Sequence, residues 1–262
     1  FINETKISTQ NAFGKILDQF AKNNTDFSRR ILTTSPDVSV STNLGPWINR
    51  KGLFSRKDSS DTFKDRKIPS AQKWIFSSQG QHIELGIAEM NLFLMLGAAG
   101  LSHEFFGERL FPIGTVYDPF ISRGLDAMNY ACYQDARFMI VGTPSGISLA
   151  PEGGAHQSIA TPLIGISQPG LLSFEPAFAD ELALIMNYGF NYLQDESGGS
   201  IYLRLTTRSI DQPMREIDNE LKNNIIKGGY WLKKPGSNPE VIIVYQGAVA
   251  SEVIEATALL GE

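Results

Sequence analysis

Apolar residues at helical spacing open the chain. Ala12, Phe13, Ile16, Leu17 and Phe20 fall on one face, which predicts a helix over 8–21. Ile31-Leu32-Thr33-Thr34 then reads as a short strand running into Ser35-Pro36-Asp37. No clear period is present between 43 and 81, and this region reads as a long irregular loop. From 81 onward the pattern alternates. Helices are expected over 84–101, 120–134 and 176–193, and strands over 109–112, 138–143, 171–175 and 200–205. Strands alternating with helices in this way imply an α/β fold, a mostly parallel sheet with helices on both faces.

The pattern weakens after 210. Residues 211–240 are polar and carry Pro213, Pro235, Gly236 and Pro239, which marks a linker after a first domain over 1–210. Val241-Ile242-Ile243-Val244-Tyr245 reads as a strand, Gly247-Ala248 as a turn, and Ser251 as the cap of a helix containing Val253, Ile254, Ala256 and Leu260. A lone strand–turn–helix cannot bury both faces of its own sheet. Residues 241–262 are therefore expected to be the truncated start of a second α/β domain. The chain begins at Phe1 rather than Met, so it is expected to be a piece of a longer polypeptide.

Composition narrows the function classes. The 262 residues are 42% hydrophobic and 19% charged, as in globular domains. A net charge of −5 argues against nucleic acid or acidic membranes as general partners. The charge is unevenly spread. Between 46 and 81 lie eight basic residues against Asp58, Asp61 and Asp65, so this stretch is +5 and the remainder −10. It reads as a solvated surface loop, with a docking or subunit-contact loop as the sharper reading. The single cysteine, Cys132, excludes an internal disulfide and fits a reducing, cytoplasmic setting. Residues 85–102 hold only one ionisable side chain, Glu89, but this stretch is short for a membrane span and is interrupted by Asn91, Gly86, Gly97 and Gly100. A buried helix explains it better.

Glu89 stands out for the same reason. It is placed in the middle of that apolar helix, among Ile87, Ala88, Met90 and Leu92. Without a cation beside it, a carboxyl in so apolar a setting is expected to favour its neutral form, which suits proton transfer. The bland alternative is a Glu whose head reaches solvent.

Gly86-Ile87-Ala88-Glu89, leading into a Gly/Ala-rich apolar helix, resembles the central, pyrimidine-binding domain of the transketolase-like family of thiamine-diphosphate enzymes. Glu152-Gly153-Gly154-Ala155-His156-Gln157 resembles the family's acidic–Gly–x–x–His–Gln loop. Between them, the segment from Tyr117 to Asp126, with Phe120 and Arg123, is similar to the aromatic segment lining the cofactor pocket. Ser8-Thr9-Gln10-Asn11 and Ser35-Pro36-Asp37 resemble the segments that precede and end the first strand. Four weak motifs in the right order cover most of the chain.

The resemblance implies a thiamine-diphosphate-binding fold and a role for each residue. Glu89 would hydrogen-bond a pyrimidine ring nitrogen and favour the imino tautomer whose amino group takes the thiazolium proton. Phe120 would stack on the pyrimidine with Tyr117 beside it, and Arg123 would contact cofactor, substrate or the facing subunit. His156 would donate to the substrate's carbonyl oxygen, and His82 has a weaker claim to touch substrate. For each aromatic and histidine, a plain core or loop role is the alternative.

The family holds its divalent metal with a Gly-Asp-Gly segment of a separate domain, and no Gly-Asp-Gly occurs in this sequence. The resemblance therefore implies no metal ligand here, Mg2+ held by another domain, and a site completed by the diphosphate-binding domain of the parent chain or of a facing subunit in a homodimer. Gln79-Gly80-Gln81 and Tyr202-Leu203-Arg204-Leu205-Thr206-Thr207-Arg208 look closer to the decarboxylating component of pyruvate dehydrogenase, which passes an acetyl group to a lipoyl partner. Transketolase-type ketol transfer and a non-catalytic regulatory module of the same fold are the alternatives. A nucleotide-binding Rossmann domain is disfavoured, since neither Gly-x-Gly-x-x-Gly nor a Walker loop is present.

Overall fold

A computed structural model describes residues 4–57, 65–69, 74–146, 148 and 153–260. Its centre is an eight-stranded, all-parallel sheet. In chain order the strands are β2 (Ile31–Ser35), β3 (Leu53–Phe54), β4 (Phe76–Ser77), β5 (His82–Glu84), β6 (Phe111–Val116), β7 (Met139–Gly142), β8 (Leu171–Phe174) and β9 (Ser200–Arg204). Across the sheet they run β4-β3-β5-β2-β6-β7-β9-β8. A separate antiparallel pair joins β1 (Lys6–Ile7) to β10 (Ile210–Asp211) and ties the two ends of the first unit together.

Neighbouring residues on a strand point to opposite faces, and both faces are covered. Met139, Val141, Ile201 and Leu203 join one core with Phe13 and Leu17 of helix α1 (Thr9–Asn23). Leu182 and Met186 of a second helix, Ala179–Tyr192, complete it. Phe138, Ile140 and Tyr202 join a second core with Leu92, Phe93 and Leu96 of helix Glu89–Gly100, and Met128 and Ala131 of helix Leu125–Tyr133. The expected mostly parallel α/β architecture with helices on both faces is thus present. The first helix matches closely, with Ser8 as its N-cap accepting from the Asn11 N–H at 3.1 Å.

Several boundaries differ, each for a physical reason. The helix expected over 84–101 is split: β5 ends at Glu84, Gly86 takes a positive φ of +67°, and the helix begins only at Glu89. The strand expected over 109–112 runs instead from Phe111 to Val116. Pro112 and Gly114 disguise it, although it lies at the sheet's centre. Gly114 lets the helix pack closely there: a Cβ would fall 2.7 Å from Leu96 Cδ1 and 3.1 Å from Leu92 Cδ1, so those side chains would have to shift. The helix expected over 120–134 divides into a 3-10 turn, Asp118–Gly124, and the helix from Leu125. The irregular region after 43 contains a short helix, Gly45–Lys51, and strand β3 with the edge strand β4, both too brief to show a period.

After β10 the chain stays bound to the first unit. Arg215 pairs with Asp180 at 2.8 Å and Glu181 at 3.1 Å, and helix Asn219–Ile226 buries Ile225. The strand expected over 241–245 is not paired with any strand among the described residues, and Val241, Ile242 and Val244 are exposed. A strand needs a neighbour for its backbone groups. The helix beyond it is present as Ala250–Leu259, with Ser251 inside rather than capping it. Among the described residues, no helix is long and apolar enough to cross a membrane.

Gly114→Val would push the helix carrying Glu89 off the sheet and is expected to cost about 1–3 kcal/mol of stability, read by denaturant unfolding. An unchanged midpoint would contradict the packing described.

Candidate functional site

Parallel strands end on one edge of the sheet, and the loops leaving that edge carry the polar side chains. Val116, Gly142 and Arg204, the last residues of β6, β7 and β9, lie side by side in register. Ser35 and Glu84, ending β2 and β5, are likewise paired. The segments leaving these strands are therefore gathered at this edge.

Glu89 opens its helix at this edge rather than sitting mid-helix, and it is buried with 8% exposure. It does have a cation beside it. Arg123 Nη1 donates to Glu89 Oε1 at 2.6 Å. The same guanidinium lies over the Phe120 ring, 3.8 Å from its centroid. Gly124 permits this closeness. A Cβ there would come within 2.3 Å of Phe93 Cδ2 and 2.9 Å of the Glu89 carbonyl oxygen.

Tyr117, Phe120 and His156 form an aromatic cluster. Their ring centroids are 6.0 Å apart for Tyr117–Phe120 and 5.5 Å for each pairing with His156. The Tyr117 hydroxyl donates to Ser41 Oγ at 2.9 Å, and Gln10 bridges the Ser41 carbonyl at 2.9 Å and the Thr143 hydroxyl at 2.6 Å. So Glu89, Arg123, Phe120, Tyr117 and His156 adjoin one another, although Glu89 and His156 are far apart in sequence. Glu152, the acidic member of the His156 motif, lies outside the described residues.

His82 is elsewhere. It is fully buried on β5, with Nδ1 2.8 Å from Thr33 Oγ1 and Nε2 3.0 Å from Ser39 Oγ. Ser39 donates to Glu84 Oε2 at 2.6 Å, which leaves its oxygen able to accept from His82 Nε2–H. Both ring nitrogens have partners, and the ring has no open surface. Closeness in sequence to Glu89 does not bring it to the aromatic cluster. Burial alone pushes the Glu84 carboxyl up, but hydrogen bonds from His82, Ser39 and the Asp37 N–H outweigh it and hold Glu84 below its ordinary value.

Sequence reasoning missed a buried polar hub directly behind the cluster. Asp118 has no exposed surface, and Gly142 leaves room for it: a Cβ there would lie 2.2 Å from Asp118 Oδ1. Its carboxylate accepts from Ser158, Tyr202, Thr161 at 2.5 Å and Arg204 at 3.3 Å. Arg204 also pairs with Glu175, which accepts from Gln246 at 3.1 Å. Burial raises the Glu175 carboxyl above its ordinary value, with Arg204 opposing and Asp118 adding to the shift. Burial and the Asp118 charge push the Tyr202 hydroxyl well up, so it stays a donor.

This fold defines a class: the chain has the transketolase-like α/β architecture. A transketolase from Pichia stipitis superposes over 98% of this chain with a TM-score of 0.74 at 18% identity, using 33% of its own length. A family model described as the pyruvate dehydrogenase E1 component middle domain matches residues 3–213. The chain belongs to that family. It is similar to the pyruvate dehydrogenase E1 component of Escherichia coli K12, 26% identical over 98% of this chain, and to that of Buchnera aphidicola from Acyrthosiphon pisum, 28% identical over 97%. In both cases the chain spans 29% of the relative's length.

Because the Glu84 carboxyl is lowered, it adds stability that is present above the unfolded-state value, near about pH 4.3, and is lost as pH falls through the folded one. Glu84→Gln is expected to lower the melting temperature at neutral pH and to flatten its fall in acid. Melting curves identical to wild type between about pH 3 and about pH 7 would contradict this reading.

Proposed function

We propose that this chain is the pyrimidine-binding part of a thiamine-diphosphate enzyme that decarboxylates pyruvate and passes the acetyl group to a lipoyl partner. The observation that carries the proposal is the Glu89–Phe120 cradle. It already holds a flat nitrogen-bearing cation, with the Arg123 guanidinium carbon 3.8 Å over the Phe120 ring and a nitrogen donating to Glu89 at 2.6 Å. A pyrimidine ring makes the same two demands, an aromatic face and a carboxyl in its plane, so the residues present fit the group.

When bound, thiamine diphosphate supplies the nucleophilic carbon that attacks the 2-oxo acid. The chain's own residues bind and orient. Glu89 shares a proton with a pyrimidine nitrogen, from a site whose burial keeps water from competing. Phe120 holds the ring face, and Tyr117, fixed by Ser41, closes its edge. Arg123 leaves the cradle and turns to the cofactor or substrate. His156 faces the substrate's carbonyl oxygen as a hydrogen-bond donor. His82 is assigned an indirect substrate role, through the Ser39 and Glu84 side chains that it orients.

The diphosphate and its Mg2+ are assigned to a Gly-Asp-Gly-bearing domain other than this one, in a facing subunit of a homodimer or in the parent chain. An apolar face beside the site supports a facing copy: Met90 and Leu94 on the Glu89 helix, with Phe105, Phe106, Tyr130 and Tyr133 nearby, are all exposed. The division into residues 1–210, a linker over 211–240 and the start of a further domain over 241–262 belongs to the same reading, as does a cytoplasmic location. Ketol transfer is the second reading, favoured by the transketolase likeness in fold.

Glu89→Gln in the full-length protein is expected to cut pyruvate turnover by at least about 100-fold while the protein remains folded by circular dichroism. Turnover at the wild-type rate would overturn the assignment. Ketol transfer from a sugar phosphate without pyruvate turnover would favour the second reading.

A further inference from the structure

We propose that Asp118 is a positioning residue that latches the His156 loop onto the aromatic platform, an inference that rests on the reading of Glu89, Phe120 and His156 given above. Asp118 follows Tyr117 directly and opens the 3-10 turn that carries Phe120, so it is joined through the backbone to both platform residues. Its Oδ2 accepts from Ser158, just beyond His156 in the chain. Ser158 is buried, and its hydroxyl oxygen also accepts the Gly146 N–H at 3.0 Å, while its own N–H donates to the Gly146 carbonyl at 2.9 Å. Gly146 and Ser158 are thus tied to each other, and the tie is anchored to Asp118. Gly153 takes a positive φ of +86° and His156 closes a short 3-10 turn, its N–H donating to the Gly153 carbonyl at 3.1 Å. The Ser158 anchor adds a tertiary tie to this local turn.

The chemistry of the hub fits a positioning task better than a stabilising one. A carboxylate with no exposed surface is expensive to desolvate, a cost that apolar packing would avoid. Here its acceptor sites are all used, by Ser158, Thr161, Tyr202 and Arg204, from loop, helix and strand. Such a carboxylate has one low-energy position, and so does the hydroxyl bound to it. Arg204 balances the charge and is itself held by Glu175, whose carbonyl accepts the Gly247 N–H at 3.2 Å. The arrangement ties Ser158, and through the chain His156, to the segment that carries the rings.

The test is Ser158→Ala in the full-length protein, which removes one hydroxyl and leaves the Asp118–Arg204 pair intact. Two readouts are taken. The first is carbethoxylation of His156 by diethyl pyrocarbonate in the cofactor-free protein, read by peptide mass spectrometry. Its rate is expected to rise at least about threefold as the loop opens locally. The second is pyruvate turnover, with kcat expected to fall by about 10-fold or more while the thiamine-diphosphate Kd and the melting temperature stay near wild type. Ser158→Thr, which keeps the hydroxyl, is expected to restore both. Unchanged labelling and kcat in Ser158→Ala would overturn the proposal. So would a loss of kcat that tracks melting and cofactor affinity and is not restored by Thr, because that marks a structural role alone. His156→Ala separates the two levels: if it keeps full turnover, the role given to His156 fails, while the labelling rate still decides whether Asp118 latches the loop.

Discussion

The arrangement depends on one buried ion pair, Arg204 with Asp118, at 4% and 0% side-chain exposure. Removing Arg204 would leave the Asp118 carboxylate uncompensated in the interior, a loss of about 3–5 kcal/mol. The pair joins the end of β9 to the segment after β6, and its further hydrogen bonds reach the loop after β7, the helix Thr161–Ser167 and the segment after β8. Those loops are gathered by a charge that must be satisfied from several directions.

Glycines set how closely the parts approach. Gly114 seats the Glu89 helix on β6, Gly124 brings Arg123 and Phe120 against that helix, and Gly142 opens room for the Asp118 carboxylate. The parallel sheet then delivers the strand ends to one edge, where Glu89 and the aromatic platform meet. Sheet register, helix seating and the buried carboxylate thus act in sequence to build one cradle.

Much of this was legible in the sequence, and the rest was hidden for identifiable reasons. The α/β alternation was readable because the long helices and central strands carry periods that burial imposes. Glu89, Phe120, Tyr117, Arg123 and His156, each singled out by a short motif, are brought together by the structure. Asp118 lay in one of those motifs, yet its role was invisible. Its partners lie 40, 43, 84 and 86 residues away, a separation that no local pattern encodes. Glu89 was misplaced within its helix because a left-handed Gly86 looks in sequence like any other glycine of a Gly/Ala-rich helix. His82 attracted a direct role through sequence proximity, but strand β5 buries it against Thr33 and Ser39.

Arg123 makes the central claim measurable. Its guanidinium occupies the two contacts, on Phe120 and on Glu89, that the proposed function gives to a pyrimidine ring. The proposed function has the pyrimidine take the guanidinium's place. The most direct measurement is a crystal structure of the full-length protein with thiamine diphosphate and Mg2+. The account predicts the pyrimidine against Phe120, its ring nitrogen on the Glu89 carboxyl, and Arg123 displaced. A pyrimidine bound away from Phe120, with Arg123 still on Glu89, would contradict it.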